Sequence, residues 1–327
     1  MMPAGALRPA DSGAAVVPVA RAFMVLAVVT SLAFPLIVGR QDYALYSATS
    51  ALVYVILATG YNILIGMCGQ LAMSHVAFFG IGAYASALLT RDAGVPFPAA
   101  MAVAILLPTL SAFVMARAAV RLSGPYLALV TFAFHSMALT VFINWVDVTN
   151  GWGGVSRIPP ASLLGWRADT SISAYYVVLS FALAGVLLAT RLKATRLGRA
   201  FFAIRENRLA ARGVGINTAA TITAAFCISG AYAGIAGSLD AAFVHYIDPT
   251  SFGLSRLIDL LIIVIIGGRG SVMGVALAAL GFVAALEYLR FLQDWKLMVF
   301  GLLLVVMTNV SPNGVGELAR KLFRGKA

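Results

Sequence analysis

Charge is what this sequence has least of. Of 327 residues only 11% are charged while 61% are hydrophobic, and the mean hydropathy is +0.95. A water-soluble domain carries about 25% charged residues to keep its surface wet. The deficit is spread along the whole chain, so one buried core does not account for it. Cysteine is nearly absent too: Cys68 and Cys227 both stand in apolar stretches, which excludes a disulfide framework and leaves two small packing residues. There is no HExxH, no CxxC and no plausible Ser/His/Asp set, so enzyme chemistry finds no support. Gly80-Ile81-Gly82-Ala83-Tyr84-Ala85 fits a loose dinucleotide fingerprint but follows no strand and lies in an apolar run. Gly268-Arg269-Gly270-Ser271 lacks the Gly-Lys-Ser/Thr of a phosphate loop, so no ATP site is expected in this chain. No metal and no cofactor of its own is expected either.

What is present is a series of long apolar runs. Crossing a bilayer takes about 20 apolar residues per helix, with charges or turn residues at the ends. Ten candidate spans follow: 22–38, 43–65, 71–90, 98–118, 124–143, 173–190, 216–239, 256–268, 272–289 and 295–310. The fold class is therefore all-α, a polytopic transmembrane helical bundle. Residues 1–21, with Pro3, Pro9 and Pro18 and little charge before Arg21, read as a cytoplasmic tail. The run 22–38 lacks a small-x-small cleavage site and reads as a retained first helix. Residues 22–310 form the transmembrane domain and 311–327 a basic cytoplasmic tail.

The net charge of +11 comes without a nucleic-acid-reading motif, so no nucleic-acid partner is expected. Its distribution carries topology instead. With both termini in the cytoplasm, sixteen Lys and Arg residues lie inside and seven outside; the opposite orientation inverts the split. The positive-inside rule selects N-in, C-in.

Two loops exceed a tight connection: 144–172 outside and 191–215 inside. The outer loop, rich in Gly and Trp and poor in charge, suits a docking or gating surface; a passive linker is the alternative. Glycine turns at Gly69-Gln70 and at Gly267-Gly268-Arg269-Gly270 punctuate the cytoplasmic ends of their neighbouring spans, one in each half of the chain. Interrupted segments in two halves hint at an internal inverted repeat. Within the inner loop, Arg199 to Arg212 has helical character, with Ala200, Ala203, Ile204 and Ala211 near one face and Arg205, Arg208 and Arg212 on another. Gly213 and Gly215 stop it. The apolar side of such a helix must be covered by lipid headgroups or by another protein, and the spacing favours neither.

Ser229-Gly230, Gly234 and Gly237-Ser238 make small-x-x-x-small steps that allow close helix packing. Intramembrane acids are costly and rarely idle. Asp259 fits either a structural pair with Arg256, at i−3, or a contact near a pathway, while Glu287 suits pairing with Arg290. His75 suits either hydrogen-bonded packing or a pathway position, and Gln70 and Ser74 share that choice.

The stretch Ala203-Ile204-Arg205-Glu206, then Ala210-Ala211, then Gly215-Ile216-Asn217 resembles the coupling-helix loop of ABC importer permeases. The resemblance is to the M-type permease subunit of branched-chain amino acid ABC transporters. It extends through Tyr61-Asn62-Ile63-Leu64-Ile65-Gly66 to Tyr84, through Gly124-Pro125-Tyr126 to Asn150-Gly151 and Ile158-Pro159, and through Asp259-Leu260-Leu261 to Gly274. It covers about residues 45–290 in order.

The resemblance implies a transporter subunit in a bacterial inner membrane, with a homologous second permease, two ATPase subunits that bind ATP and Mg, and a periplasmic substrate-binding protein as partners. It makes 195–217 the coupling loop, with Arg205, Glu206, Ala210, Ala211 and Gly215 as ATPase-coupling residues. Gln70, Ser74, His75 and Asp259 become pathway candidates, and Gly69, Gly267, Gly268 and Gly270 hinge or turn positions. Ala72-Met73-Ser74, Arg269 and the loop at Asn150 depart from the family pattern. These departures leave the substrate open among branched-chain amino acids, urea, short amides and aromatic acids. A rival of another class is an ion-gradient-driven secondary transporter, for which Asp259 and Glu287 would have to build an ion site.

Overall fold

The computed structural model describes residues 30–35, 39, 41–122, 124–163, 166–288 and 301. The expected first span is described only as a short helical segment at 30–35, and nearly all of 295–310 and the whole tail 311–327 lie outside the described residues. The chain divides into a unit of residues 1–41 and one of residues 42–327; the architecture that follows is that of the second.

Its helices are α1 (Asp42–Tyr61), α2 (His75–Arg91), α3 (Phe97–Ala119), α4 (Pro125–Asn144), α5 (Ser171–Ala194), α6 (Arg196–Glu206), α7 (Arg208–Gly213), α8 (Thr218–Val244), α9 (Leu254–Gly267) and α10 (Val272–Tyr288). A one-turn helix, Val146–Thr149, follows α4, and α1 runs on as a π-helical turn, Asn62–Met67. Among the described residues, six stretches are long and apolar enough to cross a membrane: Asp42–Met67, Phe97–Ala119, Pro125–Asn144, Ser171–Ala194, Thr218–Val244 and Pro249–Gly267. Val272–Tyr288 is apolar but shorter.

The helix expected over 71–90 starts only at His75 and has 17 residues. At 1.5 Å per residue it is about 25 Å long, short of a typical hydrocarbon core of about 30 Å. The reason is the non-helical approach from Gly69, whose φ of +71° favours glycine. The helix expected over 216–239 instead runs on to Val244, carrying Asp240 into the bundle.

Side-chain caps mark several starts. Thr170 and Ser173 form a reciprocal capping box on α5. Asn217 accepts from Ala220 N at 3.0 Å at the head of α8. Pro125 at the first turn of α4 needs no backbone donor there.

The centre of the bundle is α8, which packs along α3, α2 and α1, while α1 also meets α5 and α10. The apolar stretch of α1 is 89% buried and that of α4 only 28%; α1 is enclosed by protein, and α4 presents most of its apolar surface outward. The small residues of α8 allow this closeness. A Cβ at Gly234 would stand 2.1 Å from the Ala104 carbonyl oxygen, and one at Gly237 would stand 2.3 Å from that of Phe79. Pro108, inside α3, cannot donate to Ala104 four residues back, and Gly234 lies against the carbonyl so released. Ser86 and Ser238 add a 2.8 Å hydrogen bond between α2 and α8. The small-residue steps of α8 therefore serve packing.

The segment between α4 and α5 is built rather than slack. Val155–Ser156 pairs antiparallel with Tyr246–Ile247, just past α8. Ser162–Leu163 pairs antiparallel with Trp166–Arg167. Asn150, at φ 60°, ties the bend by donating to Gly154 O at 2.9 Å.

Candidate functional site

Two groupings stand at different depths of the bundle. The first gathers around the end of α1. The expected single helix over 199–212 is in fact two, α6 and α7, broken at Asn207. Asn207 takes an extended conformation and its side chain accepts from Leu209 N at 2.9 Å and Ala210 N at 3.0 Å. An Asn that caps the following helix ends the preceding one. Thr195 caps α6 in the same manner. Phe201 and Ile204 bury the apolar side of α6 against the protein itself, so the cover that the sequence left open is partly intramolecular.

Arg205 leaves this loop and reaches both glycine turns. Its Nη1 donates to Gly66 O at 2.6 Å and to Arg269 O at 3.1 Å. Gly69 lies so close beneath it that a Cβ there would stand 2.9 Å from Arg205 Cγ. Lys193 Nζ donates to Gly270 O at 2.8 Å and lies over the Phe202 ring at 5.4 Å. Asn62, in the π turn, accepts from Gly270 N at 2.8 Å and donates to Ser271 O at 3.3 Å. Gly268 and Gly270 hold φ of +88° and +85°. Gly267 does something different: a Cβ there would meet Val275 Cα at 2.5 Å, so its role is close approach to α10. Arg208 donates to Leu122 O at 3.3 Å and also to Val120 O, tying the loop to the end of α3.

The remaining coupling candidates divide by face. Ala211 is buried within the protein, whereas Glu206, Ala210 and Gly215 are exposed. Beside them Leu209 and Val214 are each 77% exposed, a large apolar exposure on an otherwise basic loop. Gly215 holds φ +84° with open space around it.

Of the pathway candidates, His75 is fully buried. Its Nε2 donates to Leu57 O at 2.9 Å, so its Nδ1 accepts from the Ser229 hydroxyl at 2.8 Å, and its ring stacks on Tyr61. Both nitrogens are engaged in holding α1, α2 and α8 together. Gln70 is buried and donates to Cys68 O at 3.2 Å. The Ser74 hydroxyl is buried without a hydrogen-bond partner among the described residues. Thus Gln70 and Ser74 flank the turn beneath Arg205, while His75 points into helix packing.

The second grouping surrounds Asp259 and extends from the start of α1 towards its middle. The Arg256 guanidinium lies 3.6 Å from the carboxylate of Asp240 on α8. It also sits over the rings of Tyr54 and Phe79, 5.2 Å from each. The Tyr54 hydroxyl donates to Asp259 at 3.4 Å. A cavity of about 100 Å³ opens here, with Tyr46, Ser50, Tyr54, Asp240, Ser251 and Arg256 in its wall. Ser251 belongs to a 3-10 turn capped by Asp248. Burial works to raise the Asp248 carboxyl, but hydrogen bonds from Thr250 and Ser251 outweigh it and hold the group below the usual carboxylate range. Glu287, expected beside Arg290, accepts from the Tyr43 hydroxyl; Arg290 lies outside the described residues.

The span expected over 216–239 stops one residue short of Asp240 and so leaves this acid out. Its signal was there: it is the lone charge in a helix of 27 residues, and such an acid asks for a partner on a neighbouring span. His135 was also passed over; it is buried in α4 beside Phe132.

A family model described as "Branched-chain amino acid transport system / permease component" matches residues 43–308. The chain is 32% identical to "High-affinity branched-chain amino acid transport system permease protein LivM" of Escherichia coli K12, over 93% of this chain and 77% of that one. It is 27% identical to the permease protein LivH of the same organism, over 80% of this chain and 90% of LivH. It is 23% identical to "Ribose import permease protein RbsC" of Haemophilus influenzae, over 80% of each. No solved structure matches significantly. The family is one of transport permeases, not enzymes. With apolar helices arranged as a bundle and a match across most of its length, this chain belongs to the branched-chain amino acid transport system permease family as an M-type, multi-pass membrane permease.

Proposed function

We propose that the chain is the transmembrane subunit of an ABC importer that moves branched-chain or related hydrophobic amino acids across a bacterial inner membrane. In this reading a homologous second permease completes the pathway, and a periplasmic binding protein delivers the substrate. Two ATPase subunits, binding ATP and Mg, supply the energy that this chain, without a phosphate loop, does not. Ten spans with both termini inside put loop 195–217 in the cytoplasm, as its arginines favour.

One observation carries the proposal: Arg205 joins that loop to the carbonyls of Gly66 and Arg269, one in each half of the chain. A movement imposed on the loop therefore reaches both glycine turns together. Leu209 and Val214, each 77% exposed, supply the apolar contact for the ATPase, and Ala211 supports them from within. ATP-driven closure of the ATPase pair pulls the loop, the turns pivot, and the pathway changes the side it opens to. Gln70 and Ser74 lie where that pivot meets the pathway.

The test is site-specific cross-linking. A cysteine at Leu209 or Val214, in a variant lacking Cys68 and Cys227, is expected to cross-link to a co-expressed ATPase subunit. Cross-linking from Trp152 alone, in the loop between α4 and α5, would sink the assignment.

A further inference from the structure

The cavity beside Arg256 bears on what is carried. Its wall holds charges of both signs: Asp240 and Arg256 stand 3.6 Å apart. Asp259 follows Arg256 by one helical turn and accepts from Tyr54. Asp240 and Asp259 are 9% and 6% exposed. Unlike charges buried in this way add little stability over apolar packing. They are costly inside a membrane protein and are retained where they do something. The pair is also loosely drawn, at 3.6 Å against the 2.7–2.9 Å of a good charge-assisted hydrogen bond. Beside it lies a space of about 100 Å³, enough for several waters. The wall also includes the apolar side chains of Val53, Val244 and Ile247.

We propose that this cavity is a station for the head group of a zwitterionic α-amino acid: the substrate carboxylate takes Arg256, the substrate ammonium takes Asp240, and an aliphatic side chain lies towards Val53 and Val244. The proposal rests on the importer reading above and narrows its substrate class. Urea and short amides carry no charge and have no use for a split ion pair. An aromatic acid, anionic only, would be opposed by Asp240 and Asp259. Only a ligand with both charges replaces both halves of the pair at once, so that neither buried charge is left bare.

Position adds to the chemistry. The wall is drawn from α1, α8, the strand Tyr246–Ile247, the 3-10 turn at Ser251 and α9, and the ion pair spans α8 and α9. A ligand inserted between Asp240 and Arg256 exchanges a direct link between those helices for one through itself. Occupancy is thereby sensed by the elements that must part during transport.

The experiment uses the whole transporter, co-expressed and reconstituted with its partner subunits and binding protein, with radiolabelled leucine as probe. The double variant Asp240→Asn/Arg256→Gln removes both charges of the pair together and keeps the net charge of the Asp240, Arg256 and Asp259 group, with Asp259 still held by the Tyr54 hydroxyl. It is expected to retain its ATPase subunits and to lose leucine uptake at least tenfold. A structural pair predicts the reverse, with the double variant recovering what each single variant loses; uptake within twofold of wild type would overturn the proposal. Ser50→Leu fills the cavity and leaves every charge in place, and decides the matter if the double variant fails to assemble. It too should lower uptake at least tenfold, and wild-type uptake would overturn the proposal. The wild-type arm separates the two readings: if the unaltered transporter imports a neutral amide and no branched-chain amino acid, the importer assignment itself is wrong about its substrate.

Discussion

Replacing Arg205 by alanine removes two hydrogen bonds from a charged donor, the one to Gly66 O at 2.6 Å and the one to Arg269 O at 3.1 Å. Hydrogen bonds to charged groups contribute about 1.5–3 kcal/mol each. The Arg269 contact is exposed and counts for little after solvent screening, whereas Gly66 is buried and its carbonyl loses this donor. The loop is therefore expected to lose about 2 kcal/mol of docking free energy, which is roughly a thirtyfold shift towards the released state. Arg205→Lys keeps the charge but not the planar guanidinium whose Nη1 reaches both carbonyls, and should fall between. Two assays read the effect: amide hydrogen exchange over 195–217, which should rise, and leucine uptake at fixed ATP hydrolysis, which should fall as coupling is lost. Unchanged exchange together with wild-type uptake in Arg205→Ala would refute the idea that this side chain joins the loop to the glycine turns.

Other consequences follow from burial and close approach. Gly234→Leu drives a side chain into the Ala104 carbonyl and should abolish stable protein in detergent, whereas Gly281→Ala, with nothing within 4 Å of its Cβ, should purify and melt as wild type. Ala211→Glu buries an unpaired charge and should collapse the loop, while Ala210→Glu, at an exposed site, should leave the loop's exchange pattern intact and weaken only ATPase retention. Cysteines at Trp152 and Leu209, which are 67% and 77% exposed, should be labelled by a membrane-impermeant maleimide from opposite sides; labelling of both from one side would refute the N-in, C-in arrangement.

Much of the helical arrangement was legible because hydropathy in a bilayer is a local property. The run at 98–118 differs from α3 by one residue at each end, and the run at 272–289 starts where α10 starts. The failures share a cause, which is dependence on a distant partner. Nothing near Asp240 says that α8 continues past it; Arg256, sixteen positions on, makes the burial tolerable. The same long-range choice drew attention to Arg256 as a neighbour of Asp259 when the resolved ion pair lies across to α8. The break at Asn207 was readable, since Asn is a strong helix N-cap, but the arginine spacing on either side concealed it. That Gly69 and the 267–270 turn meet under one arginine was not readable at all, because the Arg205 contacts span 139 and 64 positions.

In the proposed function this permease is driven by ATP hydrolysis in partner subunits and carries a branched-chain amino acid. Leucine uptake into proteoliposomes containing the chain, its partner permease, the ATPase pair and the binding protein measures it directly, with ATP on the ATPase side and all ion gradients collapsed. The expected uptake requires ATP, both ATPases and the binding protein, and is indifferent to an imposed proton or sodium gradient. Uptake by the chain without ATPases, driven by such a gradient, would contradict it and favour a secondary transporter.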